Sequence, residues 1–415
     1  MTTPQLIFYV IVAILLIDYL VEQYLEYLNA RYRSASLPEE LKGIYPEDEY
    51  KRSQQYRSDN RKLSFISSTF NLLLILGFLF GDGFALVDGW AREITSQPLL
   101  IPAVFFGILL FALDLINTPF TVYDTFVIEQ RYGFNKTTVK TFILDKIKGY
   151  ILSAVMGGGL LILVVWFYQL TGSDFWIYAW GLVTLFTLFL TMFYTHWIVP
   201  LFNKLEPLEE GDLKTRIVEL CQKVGCSLRD VFVMDGSKRS TKANAFFSGL
   251  GKKKRIVLFD TLIHELGLRE VLAVLAHEIG HYRKRHTLIN LLISVAHTGI
   301  ILYVLSLLVN NPVLSRALGV SEPSFHIALI AFALLYSPIS MILGIGMNAF
   351  SRKNEYQADD FAAHQNLSNA LIEALKKLSV KNLSNLTPHP AYVRVHYSHP
   401  PLLERIRNLR QQQDA

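Results

Sequence analysis

Within the segment "AHEIGH", His277 and His281 stand four residues apart, with Glu278 directly after the first histidine. On a helix this spacing turns both imidazoles the same way, so the pair can hold one zinc ion while the carboxylate takes a proton from a metal-activated water. Over these six residues alone, a pair of satisfied surface histidines on an amphipathic helix would look the same. A catalytic zinc ordinarily has three protein ligands and an open position, and "SRKNEYQADDFAAH" offers Glu355 as the third. If that stretch is helical, Asp359 lies one turn further along the same face. There it could accept a hydrogen bond from a ligand imidazole and fix its tautomer. Spacing alone favours a plainer reading, in which Glu355, Asp359 and Asp360 form the solvated face of a helix.

The elements that must position these residues are mostly apolar. The 415-residue chain is 51% hydrophobic and only 18% charged, too apolar for an ordinary soluble enzyme. Seven stretches without Lys or Arg, at about 4–28, 63–87, 99–119, 149–170, 175–199, 287–310 and 326–349, meet the ~20-residue requirement of a spanning helix. The first lacks a basic flank and a small-residue cleavage site, so it reads as a retained helix. The connections after the first, third, fifth and seventh stretches carry 8, 5, 16 and 9 Lys and Arg, and those after the others 1, 0 and 1. That asymmetry places the N-terminus outside or in a lumen and the C-terminus in the cytoplasm. A net charge of +5 then needs no nucleic acid to explain it. Two cysteines, Cys221 and Cys226, are too few for a disulfide framework.

A division follows from these spans. Residues 1–199 form a membrane region of five helices, 200–286 a cytoplasmic module ending in the metal helix, 287–350 two further spans, and 351–415 a tail carrying the third ligand. The first polar part should contain a helix over "EEGDLKTRIVELCQKVG" and strands over "DVFVMD" and "RIVLFDTLI". The last of these suits either an interior strand or an open sheet edge to which an extended peptide could add. The fold class is thus predominantly α, multi-pass, with a small β-sheet in a zincin-like cytoplasmic module. Gly157 to Gly159 read as a site of close helix packing, and Asp18, Asp114 and His196 as groups facing a bundle interior or a wet cavity.

HExxH followed across a helical hairpin by "SRKNEYQAD" resembles the type 1 CAAX prenyl proteases, the sterile-24 family of membrane zinc metalloproteases. The likeness extends to "FVIEQRYGFNKTT" at 126–138, "ANAFFSG" at 243–249 and "HYSHPPLLERI" at 396–406. It covers nearly the whole chain, with the same motif order and helix count. The resemblance implies His277, His281 and Glu355 as ligands of one Zn²⁺ per chain and Glu278 as general base and acid. It also implies His399 as the group that stabilises the tetrahedral intermediate, Asn244 as a holder of the substrate backbone, the open edge rather than the interior for the strand in "RIVLFDTLI", and seven helices around a water-filled chamber. Without it, His399 reads as a turn residue before two prolines and Asn244 as a plain loop residue. Arg405 suits an ion pair with a carboxylate near the site or an exposed place on a helix.

The resulting expectation is a zinc endopeptidase, embedded in membrane lipid, that cuts near the C-terminus of peptide or protein substrates, with farnesylated CaaX proteins as the family's substrate class. Two alternatives are a quality-control protease with non-prenylated clients and a transporter or scaffold with a spent metal site. The short chain and its "QQQDA" ending favour a bacterial inner membrane over the endoplasmic reticulum.

Overall fold

The computed structural model describes residues 1–32, 41–44, 46–225, 230–249 and 255–414. Cys226, and Leu250 and Gly251 of the segment after Asn244, lie outside them. Among the described residues, six helical runs are long and apolar enough to cross a membrane: Thr3–Arg31, Glu47–Phe80, Ile101–Glu129, Val139–Phe202, His286–Leu308 and Phe325–Ala363. The 64-residue run Val139–Phe202 contains both the fourth and the fifth expected stretches. It is interrupted at Gly172–Asp174, where Gly172 adopts φ +57°, a conformation that disfavours a side chain. Phe167 stacks on Tyr178 and Tyr168 meets Phe175 edge-on, so the two arms lie side by side as a hairpin.

Two expected boundaries move. The stretch 63–87 is not one helix: the chain turns at Asp82, whose φ is +50°, and a separate short helix runs over Gly83–Ile94. The helix before it begins far upstream, at Glu47, where Glu47, Asp48 and Glu49 sit in the first turn and suit the positive end of the helix dipole. At 1.5 Å per residue its 34 residues extend about 50 Å, well beyond the ~30 Å hydrocarbon thickness. The charged first half is therefore a polar extension of an apolar span. Phe325–Ala363 follows the same plan in the opposite direction. Its 39 residues reach about 58 Å, so one helix carries an apolar segment and then Glu355 clear of it.

The glycine run also differs from expectation. Added Cβ atoms at Gly157, Gly158 and Gly159 would meet nothing within 4 Å, so no helix packs closely there. The run instead coincides with a π-helical segment, Ser153–Gly158, inside an otherwise continuous helix. Asp114 has partners within the protein, accepting hydrogen bonds from Lys146 Nζ (2.6 Å) and from the Tyr150 hydroxyl.

The sheet has four strands: β1 (Leu205–Pro207), β2 (Asp230–Met234), β3 (Ala245–Ser248) and β4 (Arg255–Phe259), in the order β1-β2-β4-β3. β2 and β4 are parallel and the outer pairs antiparallel. The strand within "RIVLFDTLI" is thus interior, not the edge. Ile256, Val257 and Leu258 are all fully buried, and a continuous apolar run covered on both faces belongs inside a sheet. The edges are β1 and β3, and β3 is the one that follows Asn244.

Two cores meet at the metal helix, Leu268–Arg283. Val271, Leu275 and Ile279 share a cluster with Ile217, Ile256 and Leu258, while Ala273 and Ala276 share one with Tyr132, Phe134, Leu371 and Ile406. The helix is therefore held between the sheet on one side and, on the other, a loop of the N-terminal membrane region together with the C-terminal helices.

Candidate metal centre

The metal helix opens with a backbone cap, Glu270 accepting a hydrogen bond from the Gly267 amide at 2.7 Å. Near its other end it touches the Glu355 helix closely. A methyl group at Gly280 would lie 2.9 Å from the Ala358 Cα and 3.1 Å from the Ala358 carbonyl oxygen. Glycine in the HEIGH motif is therefore what lets the helix of His277 and His281 approach that of Glu355. Gly280→Ala is expected to push them apart at a cost of about 1–3 kcal/mol, read as a lower unfolding midpoint of the zinc-loaded protein. An unchanged midpoint would show that the helices can separate freely.

His277 Nε2 and His281 Nε2 lie 3.2 Å apart. Glu355 places Oε2 3.4 Å from the first and Oε1 3.2 Å from the second, and one ligand atom from each of the three residues fits within 4.8 Å. Glu355 Oε2 is buried and makes no hydrogen bond. Two ring nitrogens facing each other and an orphaned carboxylate oxygen converge on one point. Two nitrogens and one oxygen at such spacing fit a zinc ion.

The ligands are themselves held. His277 Nδ1–H donates to Asp359 Oδ1 at 2.8 Å, which leaves Nε2 as the lone-pair atom. Arg405 is buried rather than exposed and donates to both Asp359 oxygens, at 2.6 and 2.9 Å. Burial and the Arg405 charge oppose a second proton on His277, but Asp359 and Glu355 outweigh them and hold its pKa up to about 9, so a metal ion taken at Nε2 displaces a proton there. Glu278 is half-buried, and burial first, then the Glu355 charge, raises its pKa against the opposing pull of His277, His281 and Arg405.

His399 comes to the same place from the C-terminal tail: its Nε2 lies 3.2 Å from Glu355 Oε1, although most of its side chain is exposed. Asn244 does not join the cluster. It is exposed at the start of β3, its Oδ1 accepts from the Ala245 amide at 2.8 Å, and its carbonyl accepts from the Phe259 amide at 3.1 Å.

Sequence reasoning assigned no role to the loop around Gly133, Phe134 and Asn135, and the geometry supplies one. Gly133 has φ +79°, and the Phe134 carbonyl accepts from the Thr241 amide while the Lys136 amide donates to the Arg239 carbonyl, each at 3.0 Å. Lys242 then extends its ammonium over the Phe134 ring at 4.5 Å and to Glu129 at 2.9 Å. The membrane region thereby fixes the segment that leads into Asn244 and β3. A second omission is His286, whose Nδ1 lies 3.0 Å from His281 Nδ1. The signal was present as a third histidine five residues after His281, inside a basic run that reads as a membrane-interface anchor.

Two family models divide the chain: one described as CAAX prenyl protease N-terminal, five membrane helices, matches residues 26–204, and one described as peptidase family M48 matches 207–413. A CAAX prenyl protease 1 homolog of Dictyostelium discoideum is 34% identical over 97% of this chain and 96% of its own length. CAAX prenyl protease 1 of Saccharomyces cerevisiae is 33% identical over 93% and 91%. The crystal structure of S. mikatae Ste24p superposes with a TM-score of 0.92 at 33% identity, covering 97% of this chain and 98% of the other.

Proposed function

The chain belongs to peptidase family M48 and is a multi-pass membrane metalloprotease, and from that premise we propose that it is a zinc endopeptidase acting on farnesylated CaaX-type substrates, with one zinc per chain. The observation that carries the proposal is the convergence of His277, His281 and Glu355 beside Glu278, drawn from both sides of the 287–350 hairpin. It supports treating 200–286 and 351–415 as one catalytic module split by that hairpin. An intact donor set with its neighbouring carboxylate argues against a spent site.

Zinc held by these three residues would supply Lewis acidity toward a scissile carbonyl and toward water. The chain's own groups would do the rest. Glu278, half-buried next to the ligands, accepts a proton from the attacking water and returns it to the leaving amine. His399 reaches the Glu355 end of the site from an exposed position and donates an N–H to the negative charge that develops on the carbonyl oxygen. Asn244 and the open edge of β3 hold the substrate in extended form through main-chain hydrogen bonds.

The same reading includes seven spans around a wet chamber. Polar pairs join neighbouring spans, among them Tyr19 with Thr69 (2.6 Å), Gln23 with Ser68 (3.2 Å) and Asn71 with Asn117 (2.9 Å). Polar groups at such depth suit a water-lined interior. Charge in the connections supports an N-terminus outside and a C-terminus in the cytoplasm. The relatives named above are eukaryotic and lend no support to a bacterial inner membrane.

Purified protein offered matched farnesylated and unmodified CaaX peptides, with products mapped by mass spectrometry, tests the substrate class. Cleavage confined to the farnesylated peptide near its C-terminus, lost on chelation and restored by zinc, is the expected result. Scattered cleavage of unmodified peptides would instead favour a quality-control protease.

A further inference from the structure

His281 has two ring nitrogens, and only one tautomer leaves Nε2 free to ligate. Its Nδ1 lies 3.0 Å from His286 Nδ1, and His286 Nε2 lies 3.0 Å from Gln357 Oε1. The amide oxygen can only accept, so His286 carries its proton on Nε2 and presents a bare Nδ1. His281 must then donate from its own Nδ1, and its Nε2 is left as a lone pair facing His277 and Glu355. Reversing the chain, with the Gln357 amide nitrogen toward His286, would put a proton on His281 Nε2. That proton would point into the donor set.

The backbone is shaped to make this contact. Five residues along an unbroken helix, a side chain lies about 140° away from its starting direction, too far around to meet His281. The helix instead breaks at Arg285, which adopts φ +59°, and His286 begins the next helix with its ring turned back. A left-handed non-glycine residue is strained and persists where the surroundings over-determine it. His286 is 3% exposed, so its ring nitrogens depend on protein partners. Gln357 lies two residues beyond Glu355, so the helix that brings the third ligand also terminates the chain of hydrogen bonds.

We propose that His286 and Gln357 are positioning residues that hold the His281 imidazole in its metal-binding tautomer through a neutral relay, where His277 is held by the Asp359 carboxylate. This rests on the zinc reading of the cluster. Absence of zinc from the unmodified protein would sink both, whereas variants that all keep it would sink the relay alone.

The test is zinc retention by the detergent-purified full chain against a graded chelator. His286→Leu and Gln357→Leu should release zinc at about 10- to 100-fold lower chelator activity, the usual cost of losing an outer-shell partner. His286→Asn, whose carboxamide oxygen can accept from His281 Nδ1–H, should recover most of that loss. Gln357→Glu keeps an acceptor and should retain zinc at least as well as the unmodified protein. Equal retention in both leucine variants, or a His286→Asn as leaky as His286→Leu, overturns the proposal. Should His286→Leu fail to fold, the contrast between Gln357→Leu and Gln357→Glu decides it.

Discussion

Glu278→Gln should bind zinc as the unmodified protein does and lose turnover by roughly 10³-fold, the middle of the range for removing a positioned proton acceptor. The carboxamide matches the carboxylate in shape and takes no ligand from the metal, so elemental analysis should still give the unmodified zinc content. What disappears is the group that can hold the proton of the attacking water. Burial raises the Glu278 pKa, which makes this carboxylate a stronger base than an exposed one and enlarges the loss. A variant with near-normal rate would remove Glu278 from the role of base, and one that loses zinc would move it into the ligand set.

Arg405→Leu should be the most damaging single change away from the ligands. Asp359 is completely buried and Arg405 only 8% exposed, so deleting the guanidinium strands a carboxylate that water cannot reach. Breaking a buried pair in this way costs about 3–5 kcal/mol, and His277 loses its orientation along with Asp359. The expected readout is a protein that unfolds at much lower denaturant and releases zinc readily. Asp359→Leu combined with Arg405→Leu should recover part of the stability, because both charges are then gone, but not the hold on zinc. If the single variant unfolds like the unmodified chain, the cluster is solvated and its charges are weakly coupled.

His277, Glu278 and His281 were legible because four-residue spacing on a helix is a local fact. Apolar length pointed to the six long apolar runs for the same reason, since hydropathy is a property of each segment separately. Boundaries set by partner surfaces were not legible. The break at Asp82 lies in a Gly-Asp-Gly turn between two apolar runs that read as one span, and β4 is interior because β2 and β3 both pair with it. Arg405 on sequence alone suited solvent as well as an ion pair, since nothing local separates a buried cation from an exposed one.

The sequence by itself determined which side chains can do the chemistry and that they lie beside a membrane, because residue type, helical period and hydropathy are properties of short stretches. Only the tertiary structure decided that Glu355 meets two histidines more than seventy residues away, that Gly280 permits the approach, and that Asp359 and Arg405 lie against His277 while His286 and Gln357 lie behind His281. Those outcomes depend on contacts between separate helices, and hydrogen-bond direction has no signature in a linear pattern.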